Sequence, residues 1–422
     1  MRVLFATYPE KTLFQPMVPL AWALRTAGHE VRVASQPRFA GTITQAGLTA
    51  VPVGHDREFW RIMSSKPDRL AALRVGIMEP YDAFDNPDRD NWEYLKPGIA
   101  EAVWGWHRTS SFPMLGGLVE FARSWQPDLV IWDPLNYAGP IAAKACGAAH
   151  ARLLWSVDVW GGVRDKYLRH LAAQPDSEKT DPFADWFGSY GRKYGFEFSE
   201  DMVTGNFTID QIPPSLQIPA DVHNVGMRFT PYGGAATVPD WLRRPAQRPR
   251  VALTMGVSAT ELFGGYSLPA GELLESLSEL DAEIVAIVAE SEQAKLGTLP
   301  DNVRMESYIP LLALAPTCSA AVHHAGFGTL TTFALHGVPQ LALPYHFDEP
   351  IFAERLVGMG AGLQIHNDLA TGPDVAAATR RLLTEPEFRR GAATLREEIL
   401  RMPTANQLVP EVEQLVTKYR TR

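Results

Sequence analysis

Residues 323–344 read HHAGFGTLTTFALHGVPQLALP, and the fold follows from them. The two histidines close an apolar run, residues 320–324 (AAVHH), and Gly326 and Gly328 come directly after it. Helical spacing then covers residues 328–336, and the apolar run 339–343 is strand-like again. Strand, tight turn, helix and strand in this order make a βαβ unit, the building block of parallel sheets.

The same rhythm extends outward. Residues 250–255 (RVALTM) and 282–289 (AEIVAIVA) read as strands with a helix over 270–280 between them, and residues 302–306 lead to another. In the first half, strands are predicted at 2–7, 30–35, 48–53, 129–132 and 151–155, with helices at 17–27, 41–46, 115–125 and 138–145. From about 165 to 200 the chain is polar and aromatic with helical patches such as 183–194. Residues 226–249 are rich in Gly and Pro without periodicity, the mark of a linker. The expected fold class is α/β, with two Rossmann-like domains facing each other across a cleft. The expected boundary places residues 1–228 in one domain and 229–422 in the other. Ligands of such sheets bind beyond the carboxyl ends of the strands, so the site is expected between the domains.

Composition narrows the function. The chain has 422 residues, 39 Lys+Arg against 48 Asp+Glu, 46% hydrophobic and 21% charged residues, the profile of a soluble globular protein. The net charge of -9 argues against nucleic-acid binding, which shows as a basic stripe. Cys146 and Cys318 are the only cysteines, which excludes a disulfide framework and a four-cysteine zinc site. No apolar run reaches the roughly 18 residues of a membrane helix, and the opening MRVLFATYPEK reads as a first strand rather than a secretory signal. A cytoplasmic protein acting on small molecules is the expectation.

The turn after the paired histidines suggests an anion site. Gly326 and Gly328 let the backbone approach a ligand closely. The unpaired N–H groups and positive end of the next helix suit a phosphate, and a strand-end histidine adds a donor. A strand–helix turn with core histidines is the plainer alternative; two histidines with two glycines at a helix start favour the anion. YPEKTLFQP stands after the first strand in place of GxGxxG, which disfavours a nicotinamide enzyme, and the lack of GxxxxGK[ST] disfavours a P-loop nucleotidase.

The segments RVLFAT…VPLAWALRTAGHEVRVASQP, EFARSWQPDLVIWDP, AHARLLW and HHAGFGT…ALHGVPQLALP resemble bacterial natural-product glycosyltransferases of the GT-B fold, over nearly the whole chain. More narrowly they resemble the activator-dependent group that attaches deoxysugars to macrolide and anthracycline aglycones. The resemblance implies a thymidine diphosphate (TDP) deoxysugar as co-substrate, an inverting transfer to a polyketide aglycone, and no metal or other cofactor. It places the acceptor in the first domain and the nucleotide sugar in the second, with residues 403–422 crossing back as a tail helix. It also implies a helper protein resembling a P450, placed on residues 59–90, and leaves room for a homodimer; neither nucleic acid nor membrane is an expected partner.

Carried over residue by residue, the resemblance assigns His323 to the pyrophosphate, with His324 in support and Gly326, Gly328 and Thr329 supplying the turn and its donors. Ser258 matches a second phosphate contact, Tyr308 and Ile309 the place that holds the base, and Asp348 and Glu349 the pair that grips sugar hydroxyls. Relatives often read HHGGAGT; here Ala325 and Phe327 intervene, so Gly326 is expected to supply the flexibility. Thr331 stands where uridine-dependent relatives carry a ribose-binding glutamate, which favours a deoxyribose.

The base is the open question. Many relatives carry a histidine where this chain has Leu13. Glu10 in the same loop, Asp158 after a later strand, or an acceptor acidic enough to need little help are the three alternatives, with Asp158 slightly preferred. Leu13 also leaves room for a non-catalytic nucleotide-sugar binder. The aromatics Trp92, Tyr94, Trp104, Trp106 and Phe112 either line an acceptor pocket or form the core of a helical excursion. Residues 82–90 (DAFDNPDRD) read as a mobile solvated loop.

Overall fold

The computed structural model describes residues 1–57, 76–256 and 268–421. They form two compact units, the first built on the chain from Met1, on Met78–Gly234 and on Met402 onward, the second on Ala235–Arg401.

The first unit carries a seven-stranded sheet in the order β3-β2-β1-β4-β5-β6-β7. The strands are β1 Arg2–Ala6, β2 Glu30–Ser35, β3 Ala50–Pro52, β4 Leu129–Trp132, β5 Ala149–Leu153, β6 Phe207–Asp210 and β7 Asn224–Gly226. Every ladder is parallel, with Phe5 opposite Val33 on one side and Ile131 on the other. Helices cover both faces of such a sheet, which is why β1 and β4 read as continuous apolar runs. The order reverses between β1 and β4, which puts the switch-point crevice beyond Ala6 and Trp132.

The helix Ala405–Tyr419 belongs to this unit. A capping box between Thr404 and Gln407 starts it. Its Leu408, Val412 and Leu415 are buried in one core with Leu20 and Leu24 of the helix Val18–Thr26 and with Val3 and Phe5 of β1. The unit also runs past residue 228 to Gly234, because Phe229 is buried and Tyr232 packs on the same core.

The second unit carries six parallel strands in the order β10-β9-β8-β11-β12-β13. They are β8 Arg250–Thr254, β9 Glu283–Ile287, β10 Val303–Glu306, β11 Ala320–His323, β12 Gln340–Ala342 and β13 Gly362–Gln364. This order reverses between β8 and β11, so its switch-point crevice lies beyond Thr254 and His323.

Several expectations change. β6, β7 and β13 are strands that the pattern did not announce, and β5 starts two residues before the predicted 151. The aromatics of residues 92–112 do not line one pocket: Trp92 is buried against Tyr167, whereas Trp104 and Phe112 are exposed at 44% and 55%. They lie along a long helical run with a π-helical turn at Ala102–His107, which spreads them over different faces. Asp90 is no part of a loose loop: it accepts from Lys166, Arg169 and His170 on the helix Val159–Ala172.

Candidate active site

In the second unit the paired histidines separate, because consecutive strand residues point to opposite faces. His323 ends β11 fully buried. Its Nδ1 accepts the Ala325 N–H at 2.9 Å, its Nε2 faces Gln340 Oε1 at 2.6 Å, and its ring stacks on Phe333. These partners fix the tautomer with the proton on Nε2. Burial, helped by the neighbouring His324, pushes its pKa down to about 3 despite the Gln340 bond. With both ring nitrogens engaged, His323 pins the turn from within and is not the pyrophosphate donor that the motif suggested.

His324 turns the other way, into a cradle made by two glycines at the switch point. A Cβ on Gly256, just beyond β8, would sit 2.4 Å from His324 Cε1, and one on Gly326 would sit 2.5 Å from Nε2. Its Nδ1 is buried without a hydrogen-bond partner, and its Nε2 stands 3.8 Å from Glu349 Oε1. Burial holds its pKa down at about 4, outweighing the Thr254 backbone, and the ring is neutral. Gly256 also has φ +74, so Gly256→Ala meets both a clash and left-handed strain. We expect that variant to lose about 1–3 kcal/mol in urea unfolding from overpacking alone; an unchanged midpoint would show that the ring moves aside freely.

The turn itself departs from expectation. Ala325, not Gly326, takes the left-handed conformation at φ 71, while Gly326 has φ -58 as N-cap of the helix Phe327–Leu335. Gly326 is required for lack of a side chain rather than for its φ. The first intrahelical bond runs from Leu330 N–H to Gly326 O, and no side chain caps the helix. Gly328 and Thr329 lie half-buried in that first turn, where N–H groups point out of the helix end. That surface suits an anion.

The remaining donor-side residues divide. Tyr308 is 48% exposed after β10, but Ile309 is a core residue among Leu314, Ala321 and Phe333 and forms no wall for a base. Glu349 is also turned inward: its Oε2 accepts the N–H groups of Tyr345 and His346 at 3.1 and 3.0 Å. Asp348 is 8% exposed at the head of the helix Glu349–Gly358. Thr331 is fully buried, so it faces no ribose. Ser258 and residues 59–75 of the proposed helper surface lie outside the described residues.

In the first unit Asp158 is no candidate base. It is 2% exposed, its Oδ2 pairs with the fully buried Arg152, and its Oδ1 caps the helix Val159–Ala172 by accepting the Gly161 N–H. Arg152 holds Thr208 as well. This carboxylate neutralises a buried cation and has no capacity left for a substrate proton. Leu13 is itself buried, at 3% exposure. Glu10, half-buried after β1, accepts from Thr12 Oγ1 at 2.8 Å.

Sequence reasoning missed Asp133. It follows β4 at the switch point, fully buried, with Oδ2 accepting the Tyr8 N–H at 2.7 Å and Oδ1 the Leu135 N–H at 2.9 Å. Burial pushes its pKa up to about 7 against those bonds, with Glu10 adding to the rise. The IWDP motif held the signal: an acidic residue directly after a fully apolar strand.

Among the described residues, no group of three or more His, Cys, Asp or Glu side chains is placed to hold a metal ion, and no helix is long and apolar enough to cross a membrane.

Two parallel-sheet, Rossmann-like units make this a GT-B protein, and solved glycosyltransferases share the architecture. The glycosyltransferase VinC in complex with DTDP matches at TM-score 0.89 and 38% identity, over 99% of this chain and 100% of that one. The spinosyn forosaminyltransferase SpnP matches at TM-score 0.82 and 37% identity, over 99% of each chain. The family models for the N-terminal and C-terminal domains of erythromycin biosynthesis protein CIII-like proteins match residues 22–256 and 271–415, and the chain belongs to this glycosyltransferase family. The 10-deoxymethynolide desosaminyltransferase of Streptomyces venezuelae is 42% identical over 100% of this chain and 98% of its own length. The aclacinomycin-T 2-deoxy-L-fucose transferase of Streptomyces galilaeus is 41% identical over 100% and 97%.

Proposed function

We propose that this enzyme moves a deoxysugar from a TDP carrier to a polyketide-type aglycone, with inversion at the anomeric carbon. The observation that carries the reading is the uncapped helix start at the β8/β11 switch point, where Gly326, Gly328 and Thr329 present a surface suited to a diphosphate. The relatives named above act on a macrolide precursor and an anthracycline, which supports the acceptor class, and VinC was solved with the nucleotide.

In this mechanism the acceptor oxygen attacks the anomeric carbon while the bond to the diphosphate breaks. The helix N-terminus stabilises the charge that gathers on the departing diphosphate, and Tyr308 stacks on the thymine. Glu10 takes the acceptor proton, at the carboxyl ends of the first unit's strands. The resemblance supports a cytoplasmic setting and a P450-like helper as partner.

Calorimetry with TDP and uridine diphosphate tests the donor side. The thymidine assignment predicts a preference for TDP by about tenfold, or 1.4 kcal/mol. Equal affinity would remove the thymidine assignment, and no binding of either would remove the donor site. Mass-spectrometric detection of glycosylated macrolide or anthracycline aglycones, with and without a helper, tests the reaction itself.

A further inference from the structure

We propose that Glu349 is a positioning residue rather than a sugar ligand: it holds the loop of residues 345–347 against the His324 turn, so that the two loops bordering the donor act as one body. The inference rests on the donor reading above and refines how that site is built.

Three observations converge on it. First, Glu349 is 6% exposed, and one of its oxygens accepts two successive backbone N–H groups, from Tyr345 and His346. Those bonds fix the loop that follows β12 just before Phe347, a non-glycine residue held at φ 44. Such a conformation persists only where its surroundings over-determine it. Secondly, the other oxygen faces His324 Nε2 at 3.8 Å, a van der Waals separation rather than a hydrogen bond. The ring lies where a Cβ on either Gly256 or Gly326 would meet it, so both glycines leave the space that it fills. Thirdly, the loop is tied to β11 directly, since Leu343 N–H donates to His323 O at 2.7 Å. The turn after β11 and the loop after β12 are thus joined by backbone on one side and by the Glu349–His324 contact on the other.

The chemistry agrees. An ionised carboxylate this close to a diphosphate site would repel the ligand. Burial pushes the Glu349 carboxyl well above its ordinary range, against the two N–H bonds that favour its charge. Glutamine has the same shape and the same acceptor oxygen for both N–H groups, and it places no negative charge beside the phosphates.

The two roles give opposite patterns with a truncated ligand. TDP has no sugar, so a residue that only grips sugar hydroxyls leaves its affinity unchanged when removed. We expect Glu349→Ala to weaken TDP and a TDP-deoxysugar by the same factor, at least about tenfold, and Glu349→Gln to restore both to within about threefold. Weakening confined to the sugar-bearing ligand, or no weakening of either, would overturn the proposal. Should Glu349→Ala not fold, Glu349→Asp withdraws the carboxyl by one methylene and is read by the same two patterns. A wild-type protein that binds no TDP would fail the donor reading itself, which separates the two failures.

Discussion

Glu10→Gln is expected to lower kcat roughly 10²- to 10⁴-fold, the range general-base removal spans, while the affinity for TDP stays as in the wild type. The amide keeps the shape and the bond from Thr12 but cannot take a proton. Glu10 is the sequence candidate that survives, because Asp158 is consumed by Arg152 and Leu13 has no basic atom. Asp133 adds a pH signature. Its carboxyl, pushed up to about 7, is protonated below that pH and charged above it. The negative charge gained by Asp133 adds to the potential that draws the acceptor's proton toward Glu10, so kcat should rise with pH through about 7. Asp133→Asn should flatten that limb. An undiminished kcat in Glu10→Gln would leave the acceptor itself as the proton source that needs no base.

The second large effect is on stability. Asp158→Ala strips the counter-ion from a fully buried arginine whose Nε and Nη1 already lack partners. Breaking a buried pair from one side costs about 3–5 kcal/mol, and the helix Val159–Ala172 loses its N-cap in the same change. We expect the unfolding midpoint in urea to fall accordingly, and kcat per folded molecule to stay within a few-fold of wild type. A variant with wild-type stability and abolished turnover would return Asp158 to the catalytic role.

The sequence discloses the sheets better than the site. β1, β4, β8 and β11 are buried on both faces, and burial of that kind writes itself as an apolar run. β6 ends in Asp210, β7 opens on Asn224 and β13 ends on Gln364, and three or four residues with polar ends look like loop. In the site, the glycines marked the turn, but the division of labour between His323 and His324 depends on strand alternation and on Gln340, seventeen residues away. Glu349 and Ile309 look like ligand residues by position, and only packing shows that their side chains point inward. Asp158 looks reactive at a strand end; its partner Arg152 sits six residues back in a fully buried strand, and that cation was the clue.

The helix Ala405–Tyr419 completes the hydrophobic interior that β1 and the helix Val18–Thr26 begin. During synthesis, then, the unit begun by β1 completes its interior only once residues 405–419 have emerged. The carboxy-terminal unit, whose strands are contiguous within Ala235–Arg401, faces no such delay. The half made second is free to finish first.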